Sequence, residues 1–554
     1  MYRKGIYQFI FVILILTSIK NPAQVCAQIS SEQAYKFNRV MDLISMFYVD
    51  TIKEQKLVEQ AIISVLKDLD PHSIYINKDE VKEMNEPLIG SFDGIGITFN
   101  IFKDTVYIVR TYPGGPSEKA GLKPGDRIVS VENELIAGTG INLGMVKKLL
   151  LGKKGTKVNI SIKRKSITEL IDYTIIRGKI PINSIVTAYK ADEKIGYIKL
   201  TKFSATTIDE FEKTIKKLKK EGVNDLILDL RDNGGGYLRT AINIADQFIQ
   251  ANKLIVFTKG TSSPRSNYFS TSKGLFEKSK LIVLIDEGTA SASEIVTGAV
   301  QDWDRGVVIG RRSFGKGLVQ RPFHLMDGSM IRLTIARYYT PTGRLIQKSY
   351  AGGYQNYSED IDNRFNNGEL FSEDSIHFVD SLKYLTLNKN RKVFGGGGIM
   401  PDIFIAADTS AVPAFYRKLL RTGKLNEFIL KYIDNNRTVL ISRYPDFNSY
   451  KENFKVDNSI LNELIKFAVI EELKDPDSKE YLLALESKTT DNNIYDPILD
   501  GNEEMLKHQL KALIARNIWG DRTFYEIFNQ KDKTYLKAIA VLKNPQLYNS
   551  ILGY

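Results

Sequence analysis

The sequence predicts a multidomain α/β protein, with a strand-rich module before its central α/β domain and helical segments at both ends. The chain has 554 residues, which is too long for a single hydrophobic core. With 43% hydrophobic and 26% charged residues, its composition is typical of a globular protein rather than a disordered one. From residue 195 onward, short apolar strands alternate with amphipathic helices, which is the pattern of an α/β domain.

Residues 1–27 have the pattern of a secretory signal peptide. Arg3 and Lys4 precede an apolar stretch from Phe9 to Leu16, and a small-residue cleavage site ends at Ala27. Cleavage there would remove the single cysteine of the chain, Cys26. The pattern predicts export, and a retained membrane tether is the alternative.

Two segments follow the signal. Residues 28–88 show helical periodicity that ends at Asp70, and they predict a small helical element that packs or pairs. Residues 89–175 change to short β-branched runs separated by glycine turns, which predicts a compact strand-rich module. Its predicted strands are 94–97, 106–109, 126–131 and 158–162.

Residues 176–405 are predicted to form the α/β core, with a polar insertion at about 350–394. Its predicted elements are helix 208–220, strand 225–230, a helix from Leu238, strand 281–285, a helix from Ala292 and strand 306–309. Residues 406–554 are predicted to be helical, including 460–473 and 503–518. This C-terminal region has two interpretations, a surface for dimer contacts or a cover for the core.

Ser291 and Lys316 are candidate partners for hydrolysis without a cofactor. Ser291 lies in the run Gly-Thr-Ala-Ser-Ala-Ser-Glu (288–294), between a predicted strand and a predicted helix, and Lys316 lies in Ser-Phe-Gly-Lys-Gly (313–317). A serine hydroxyl becomes an effective nucleophile when a base removes its proton, and a neutral lysine can be that base. Taken alone, Ser291 could instead be a helix N-cap and Lys316 a surface cation.

Lys316 can act as a base near neutral pH only if its pKa falls from about 10.4 by roughly three units. Burial lowers the pKa of a lysine, whereas a carboxylate partner raises it. Gln320, four residues further on, can accept a hydrogen bond from Lys316 through its amide oxygen without adding negative charge.

Donors for a developing oxyanion are predicted near Ser291. Backbone N–H groups in the first turn of a helix have no partner within the helix, so the N–H of Ala292 is a candidate. Gly234 and Gly235 follow another predicted strand, and without a Cβ they let a second backbone donor approach closely. An ordinary tight turn is the alternative interpretation of this glycine run.

Other serines and histidines are weaker candidates for the nucleophile or base than Ser291 and Lys316. The Ser-x-x-Lys motif of penicillin-binding enzymes recurs in the chain, and Ser313 shares Lys316 in this way. Its surroundings lack a strand-turn-helix context. No His-Glu-x-x-His motif or cysteine cluster indicates metal, and no cofactor is predicted. The remaining candidates are interpreted as structural: Ser64, Ser270, Ser293, His72 and His324.

Residues 89–175 resemble a PDZ domain. The resemblance rests on the Gly-Ile-Gly-Ile loop (94–97) and on Ala-Gly-Leu-Lys-Pro-Gly-Asp (120–126). In PDZ domains such a loop offers backbone N–H groups to a terminal carboxylate, and the peptide adds as a strand to the sheet edge. The resemblance therefore implies that four residues bind the C-terminus of a peptide: Gly94, Ile95, Gly96 and Ile97.

Three further runs resemble the carboxyl-terminal processing peptidases, serine proteases of family S41 with a Ser/Lys dyad. They are Leu-Asp-Leu-Arg-Asp-Asn-Gly-Gly-Gly (228–236), Thr-Ala-Ser-Ala-Ser-Glu (289–294) and Ser-Phe-Gly-Lys-Gly-Leu-Val-Gln (313–320). Further matches, including Leu-Asp-Pro-His-Ser (69–73), extend the resemblance over about residues 35–405. It implies a crotonase-like protease core, Ser291 as nucleophile, Lys316 as base and Gln320 as the residue that orients the lysine.

The sequence thus predicts an endopeptidase of the periplasm or cell envelope that recognises protein C-termini and cleaves through an acyl-enzyme. The alternative is a catalytically inactive PDZ binding or scaffold protein. The net charge of +12 does not predict a nucleic-acid partner, because the lysines are spread among many acids. A homo-oligomer and association with an anionic envelope surface stay open.

Overall fold

The computed structural model describes residues 30–554 except 166, 378, 408–418 and 473–501. The chain divides into two compact units, residues 1–66 and 67–554. The predicted signal peptide, residues 1–27, lies outside the described residues. None of the described helices is both long and apolar enough to cross a membrane.

The first unit is helical over its described part. Helix α1 (Ser31–Phe47) begins after Ser30, whose hydroxyl accepts a hydrogen bond from the Gln33 N–H, as an N-cap does. Helix α2 (Glu54–Leu69) begins in this unit, and the Ser45 hydroxyl donates to Glu54 Oε1 at 2.8 Å. The unit leaves several large apolar side chains exposed to solvent: Phe37, Met46, Phe47, Tyr48 and Val49.

The strand-rich module of the second unit is built on an antiparallel sheet with the strand order β3-β4-β5-β7-β8 and with β6 paired to β5. The segment 94–97, predicted as one strand, instead contains the end of β2 at Gly94, a two-residue connection and the start of β3 at Ile97. Strand β3 lies at an edge of the sheet. The elements are β2 (Ser91–Gly94), β3 (Ile97–Ile101), β4 (Val106–Thr111), α4 (Pro116–Ala120), β5 (Arg127–Val131), β6 (Glu134–Leu135), α5 (Leu143–Leu150), β7 (Lys157–Lys163), β8 (Ile171–Ile176) and β9 (Gly178–Pro181), after helix α3 (Lys78–Ile89).

The central domain contains a six-stranded sheet with the order β10-β11-β12-β15-β16-β21, in which all pairs after β10 are parallel. The predicted bounds of β15 and the predicted start of α8 agree with the structure. The elements are β10 (Ile185–Lys190), β11 (Ile195–Leu200), α6 (Thr207–Lys220), β12 (Asp225–Asp229), α7 (Leu238–Asp246), β15 (Leu281–Ile285), α8 (Ala292–Asp302), β16 (Val307–Gly310) and β21 (Ile403–Phe404).

Both faces of this sheet are covered, which explains why its strands read as continuous apolar runs. On one face, Ile198, Leu228 and Val283 pack in one core with helices α6, α7 and α8. On the other face, Tyr197 and Ile282 pack with the last two helices of the chain. The carboxyl ends of β12 and β15 lead into the glycine run and into Ser291, so both reach the same edge of the sheet.

A second sheet lies beside the first, with the order β1-β18-β13-β14 and with β17 paired to β18. Strand β1 (Ile74–Ile76) falls in the segment predicted to be helical, and it pairs with β18, more than 250 residues away along the chain. The other strands are β13 (Leu254–Lys259), β14 (Ser266–Phe269), β17 (Leu318–His324) and β18 (Met330–Tyr339). The polar insertion forms α9 (Gly353–Ser358), α10 (Asp360–Asn366), β19 (Lys383–Leu385) and β20 (Lys392–Phe394).

Over its described residues, the C-terminal region is mainly helical and contacts both neighbouring parts of the unit. Leu430 packs with Tyr107 and Val109 of the strand-rich module, and Asp434 forms an ion pair with Arg127 at 2.7 Å. The last two helices cover the central sheet, so covering the core is part of what this region does. The helices are α11 (Lys424–Arg443), α12 (Phe447–Asn453), α13 (Asn458–Glu472), α14 (Glu503–Trp519), α15 (Asp521–Phe528), α16 (Lys533–Lys543) and α17 (Pro545–Ile551).

Candidate active site

Ser291 occupies the turn between strand β15 and helix α8, directly before the first helical residue. Its backbone has φ 56° and ψ −113°, a region that non-glycine residues rarely adopt. Backbone strain of this kind occurs at functional sites, including the turns that present nucleophilic serines. The Ser291 side chain is half-buried and lines a cleft of about 340 Å³.

Lys316 lines the same cleft from the loop before β17. Its Nζ donates to Gln320 Oε1 at 3.3 Å, and Gln320 Nε2 donates to the backbone carbonyl of His72. Because the His72 carbonyl can only accept, the Gln320 amide oxygen is turned toward the lysine. Among the hydrogen bonds between described residues, the bond from Lys316 Nζ goes to Gln320 rather than to the Ser291 hydroxyl.

The surroundings of Lys316 favour its neutral form. Burial is the largest cause that lowers the pKa of Lys316, and the positive charge of Arg332 lowers it further. Asp70 and Glu294 act in the opposite direction. The direction agrees with the requirement that a lysine base be neutral near pH 7.

Replacing Gln320 with glutamate is expected to move the acid limb of the pH–activity profile to higher pH. A carboxylate at this position favours the ammonium form of Lys316 and raises its pKa, so more base is needed to obtain the neutral amine. We expect a shift of about one to two pH units in kcat/KM, a typical effect of an adjacent opposite charge. Gln320→Met is the matched control, since it removes the hydrogen bond without adding charge. An unchanged acid limb in Gln320→Glu would contradict this role.

Glu294 links the serine turn to the lysine loop, a role the sequence analysis missed. Its fully buried carboxylate accepts from the N–H groups of Ser291 at 2.8 Å, Gly315 at 2.7 Å and Lys316 at 2.9 Å. Burial raises the pKa of Glu294 to about 7, and these hydrogen bonds oppose that rise. The spacing Ser-x-x-Glu at the start of a helix is a capping-box signal that could have identified this residue.

Tyr338 on β18 is a second residue that the sequence analysis missed. Its hydroxyl lies 2.9 Å from the Ser291 carbonyl oxygen and also within hydrogen-bond distance of the Lys316 carbonyl oxygen. The ring is buried, and it lines the cleft beside both residues. Tyr338 thus holds the backbones of the candidate nucleophile and base against the same strand.

The glycine run 234–236 lies against the serine turn. A Cβ on Gly235 would come within 2.8 Å of Ser291 Cβ and 2.9 Å of the Ala292 nitrogen. The Gly235 N–H donates to Asn233 Oδ1 at 2.9 Å, so it is already engaged and does not fit the predicted role of oxyanion donor. Gly234 and Ala292 line the cleft, and their roles stay predictions.

The alternative nucleophiles have their hydroxyls engaged in structural bonds. Ser313 is fully buried, donates to Glu294 Oε1 at 2.6 Å and accepts from the Ile399 N–H. Ser293 donates to the Asn233 carbonyl at 2.9 Å. Both side chains support the loops around Ser291 rather than line the cleft.

Neither of the histidines considered above is among the described residues that line the cleft. His72 Nε2 lies 2.7 Å from the Tyr357 hydroxyl, and burial, followed by the charge of Lys316, lowers the pKa of His72 to about 4. His324 is exposed at the end of β17. Among the described residues, no group of three or more His, Cys, Asp or Glu side chains is placed to hold a metal ion.

The predicted peptide loop, Gly94 to Ile97, lies at the edge of the strand-rich sheet. Gly96 has φ 77°, and a Cβ there would meet Ile180 Cδ1 at 2.8 Å, so the loop conformation requires glycine. The Ile95 carbonyl accepts from the N–H and hydroxyl of Ser117. A groove of about 590 Å³ runs along β3 and α5, and helix α3 also lines it. Its apolar lining includes Phe92, Phe99, Leu143, Leu150 and Leu151.

Family models match several parts of the chain. Peptidase family S41 matches residues 194–355, and a PDZ domain matches residues 94–175. The model of the activating protease CtpB N-terminal domain matches residues 16–80, and a family of unknown function matches residues 415–520.

Two curated relatives are carboxy-terminal processing proteases. CtpB of Bacillus subtilis (strain 168) is 35% identical over 333 residues, which cover 59% of this chain and 68% of the relative. The protease of Bartonella bacilliformis is 34% identical over 356 residues, covering 63% of this chain and 81% of the relative. A solved structure of the photosystem II D1 C-terminal processing protease is 29% identical with a TM-score of 0.32, covering 57% of this chain and 90% of that one.

Proposed function

Because this chain belongs to the carboxy-terminal processing proteases of peptidase family S41, we propose that it cleaves peptide bonds through a dyad of Ser291 and Lys316. The family and the fold class expected from the sequence are both confirmed. The observation that carries the proposal is the cleft itself. Ser291 stands in a strained turn there, and Lys316 lines the same cleft with its amine held by a neutral amide oxygen.

In the proposed reaction, neutral Lys316 removes the hydroxyl proton of Ser291 as the serine oxygen attacks the carbonyl carbon of the substrate. As substrate enters, the Lys316 amine must turn from Gln320 Oε1 to the Ser291 hydroxyl. Catalytic hydrogen bonds commonly reach their short, aligned geometry only in the enzyme–substrate complex. Backbone N–H groups of Ala292 and Gly234 stabilise the oxyanion. The ammonium then gives its proton to the departing amine, leaving an ester on Ser291.

The second half of the reaction regenerates the enzyme. Lys316, again neutral, takes a proton from a water molecule that attacks the ester carbonyl. Collapse of the tetrahedral intermediate releases the new carboxyl group, and Ser291 recovers its proton from Lys316. No metal enters these steps, because the serine and the lysine supply both the nucleophile and the proton transfers.

Substrate selection is assigned to the PDZ domain. We propose that the Gly94–Ile97 loop binds the terminal carboxylate of a protein while the chain pairs with the free edge of β3. The Gly96 carbonyl accepts from the Tyr112 N–H and the Ile95 carbonyl accepts from Ser117, which holds the loop in place, and the apolar groove beside the loop suits apolar terminal side chains. The enzyme would then cleave near the captured C-terminus.

Amidation of a substrate's C-terminus is expected to raise KM about tenfold or more, because the loop loses a charge-assisted hydrogen bond. The measurement compares one peptide with a free and an amidated terminus, using the full chain. The Ser291→Ala variant should still bind the free peptide in preference to the amidated one. Equal KM values and equal binding for the two peptides would contradict capture of the terminus by the PDZ domain.

We propose further that the protein acts in the periplasm or cell envelope after cleavage of residues 1–27, and that it forms a homo-oligomer. The signal-like sequence supports export. Exposed apolar side chains such as Phe37 and Phe47 in the first unit support pairing with a second copy. The net charge of +12 supports attraction to anionic envelope surfaces. Cell fractionation tests the location, and a cytosolic protein would contradict it. Light scattering tests the assembly, and a monomer would contradict it.

A further inference from the structure

Arg332 is a positive charge in the active-site cleft for which the described residues supply no acidic partner. The cleft is lined by two basic residues, Lys316 and Arg332, and no aspartate or glutamate is among its described lining residues. Among the described residues, the Arg332 side chain donates to Asn85 Oδ1, at 3.4 Å, and forms no ion pair. The guanidinium is half-buried, so its charge is partly removed from water.

Several half-buried arginines of this chain form ion pairs, whereas Arg177 and Arg305 donate mainly to backbone carbonyls. Arg231 bonds Asp229 and Asp532, Arg311 bonds Glu287, and Arg391 bonds Asp304 and Asp402. A guanidinium carries five donors and keeps its charge at any physiological pH. Arg332 therefore has donors and charge left for an anionic group that enters from outside.

The register of β18 turns Arg332 toward the reacting residues. Arg332 and Thr334 are two residues apart on β18 and share a face, on which Thr334 contacts the Asp70 turn. A register shift separates them from Tyr338, and both Arg332 and Tyr338 line the cleft. On β17, Gln320 pairs with Thr334 and Pro322 pairs with Arg332. Arg332 therefore lies two residues along β18 from the partner of Gln320, the residue that accepts from Lys316. Its charge also acts directly on Lys316.

We propose that Arg332 binds a carboxylate of the peptide substrate inside the active-site cleft. The ligand is a carboxylate because the planar guanidinium fork matches that group with two parallel hydrogen bonds. Lys316 must be neutral to act as the base, so Arg332 supplies the positive charge for this ligand. The carboxylate is either the terminal one of a short chain or the side chain of an aspartate or glutamate. This role rests on the proposed protease function.

The test is a cycle of two enzymes and paired peptides. One pair differs by a free or an amidated C-terminus, and the other by aspartate or asparagine near the cleaved bond, with identical termini. For each pair, the ratio of kcat/KM between charged and neutral peptide is measured in the wild type and in Arg332→Gln. Any contribution of the PDZ domain is the same in both enzymes, so it cancels in the cycle.

Arg332→Gln is expected to reduce the charged-to-neutral ratio about 10- to 100-fold for one pair, the range of a charge-assisted hydrogen bond. Loss confined to the first pair identifies the chain terminus as the ligand, and loss confined to the second identifies an acidic side chain. Arg332→Lys should restore part of the ratio. Arg321→Gln, an exposed arginine on the neighbouring strand, should leave both ratios unchanged.

If Arg332→Gln lowers kcat/KM equally for all four peptides and shifts only the pH profile, the proposal is wrong. Arg332 would then act only by lowering the pKa of Lys316. Cleavage of the neutral peptides by the wild type reports separately on the protease function. Full turnover of neutral peptides with no selective effect in Arg332→Gln therefore refutes carboxylate binding alone. Absence of cleavage of every peptide by the wild type would overturn both.

Discussion

Replacing Lys316 with alanine is expected to reduce kcat for peptide hydrolysis about 10⁴- to 10⁶-fold, the loss seen when one member of a serine-protease catalytic unit is removed. Without the amine, no other described residue that lines the cleft has a carboxylate, imidazole or amine that could take the hydroxyl proton of Ser291. Ser291→Ala should lose a similar factor through loss of the nucleophile. Steady-state kinetics on one peptide, with circular dichroism to verify folding, provides the measurement.

The double variant gives the sharper control. Residues that act as one unit are not additive, so Ser291→Ala combined with Lys316→Ala should be no slower than either single variant. Ser293→Ala changes a serine only two positions away whose hydroxyl bonds the Asn233 carbonyl, and it should retain most of its activity. The assignment would be contradicted if the fold-losses in kcat of the two single variants multiplied in the double variant. It would also be contradicted if Ser293→Ala alone abolished activity.

Gly235→Ala is expected to lower kcat about 10²- to 10³-fold, the scale of losing an oxyanion donor. The new Cβ would come within 3 Å of Ser291 Cβ, Ala290 O and Ala292 N, and Gly235 has φ 99°, which strains any L side chain. These contacts are with the nucleophile's own turn, so the serine or the Ala292 N–H must move.

Gly234→Ala is the matched control for this position. A Cβ at Gly234 has no atom within 4 Å, and its N–H is retained in alanine. Its kcat should therefore stay within a few-fold of the wild type. Equal losses in the two variants would indicate a general intolerance of the loop to side chains and would contradict the specific contact between Gly235 and Ser291.

Local signals in the sequence predicted much of this site. Strand β15 and the start of α8 were predicted from an apolar run followed by a turn. Both features depend on residues that are close together in the sequence. The offset of four between Lys316 and Gln320 predicted a shared face, and the structure has their side chains hydrogen-bonded. The run Gly-Gly-Gly was correctly placed beside Ser291, since both follow parallel strands.

Contacts that join distant parts of the chain could not be predicted in this way. The His72 carbonyl that orients Gln320 lies almost 250 residues earlier, and strand β1 beside it pairs with β18. Whether a glycine N–H is available to an oxyanion depends on neighbouring side chains, and the Gly235 N–H donates to the Asn233 side chain instead. No motif in the sequence marks Arg332, and the pairing of β17 with β18 places it in the cleft.

The most direct test of the central claim is to identify the acylated residue during turnover. A peptide ester or slowly hydrolysed peptide is mixed with the full chain, the reaction is quenched in acid within its first turnover, and the digested enzyme is analysed by mass spectrometry. The proposed mechanism predicts the acyl mass on the segment containing Ser291, at that side chain, and none in Lys316→Ala. An acyl group on Ser293 or Ser313, or rapid turnover by Ser291→Ala, would contradict it.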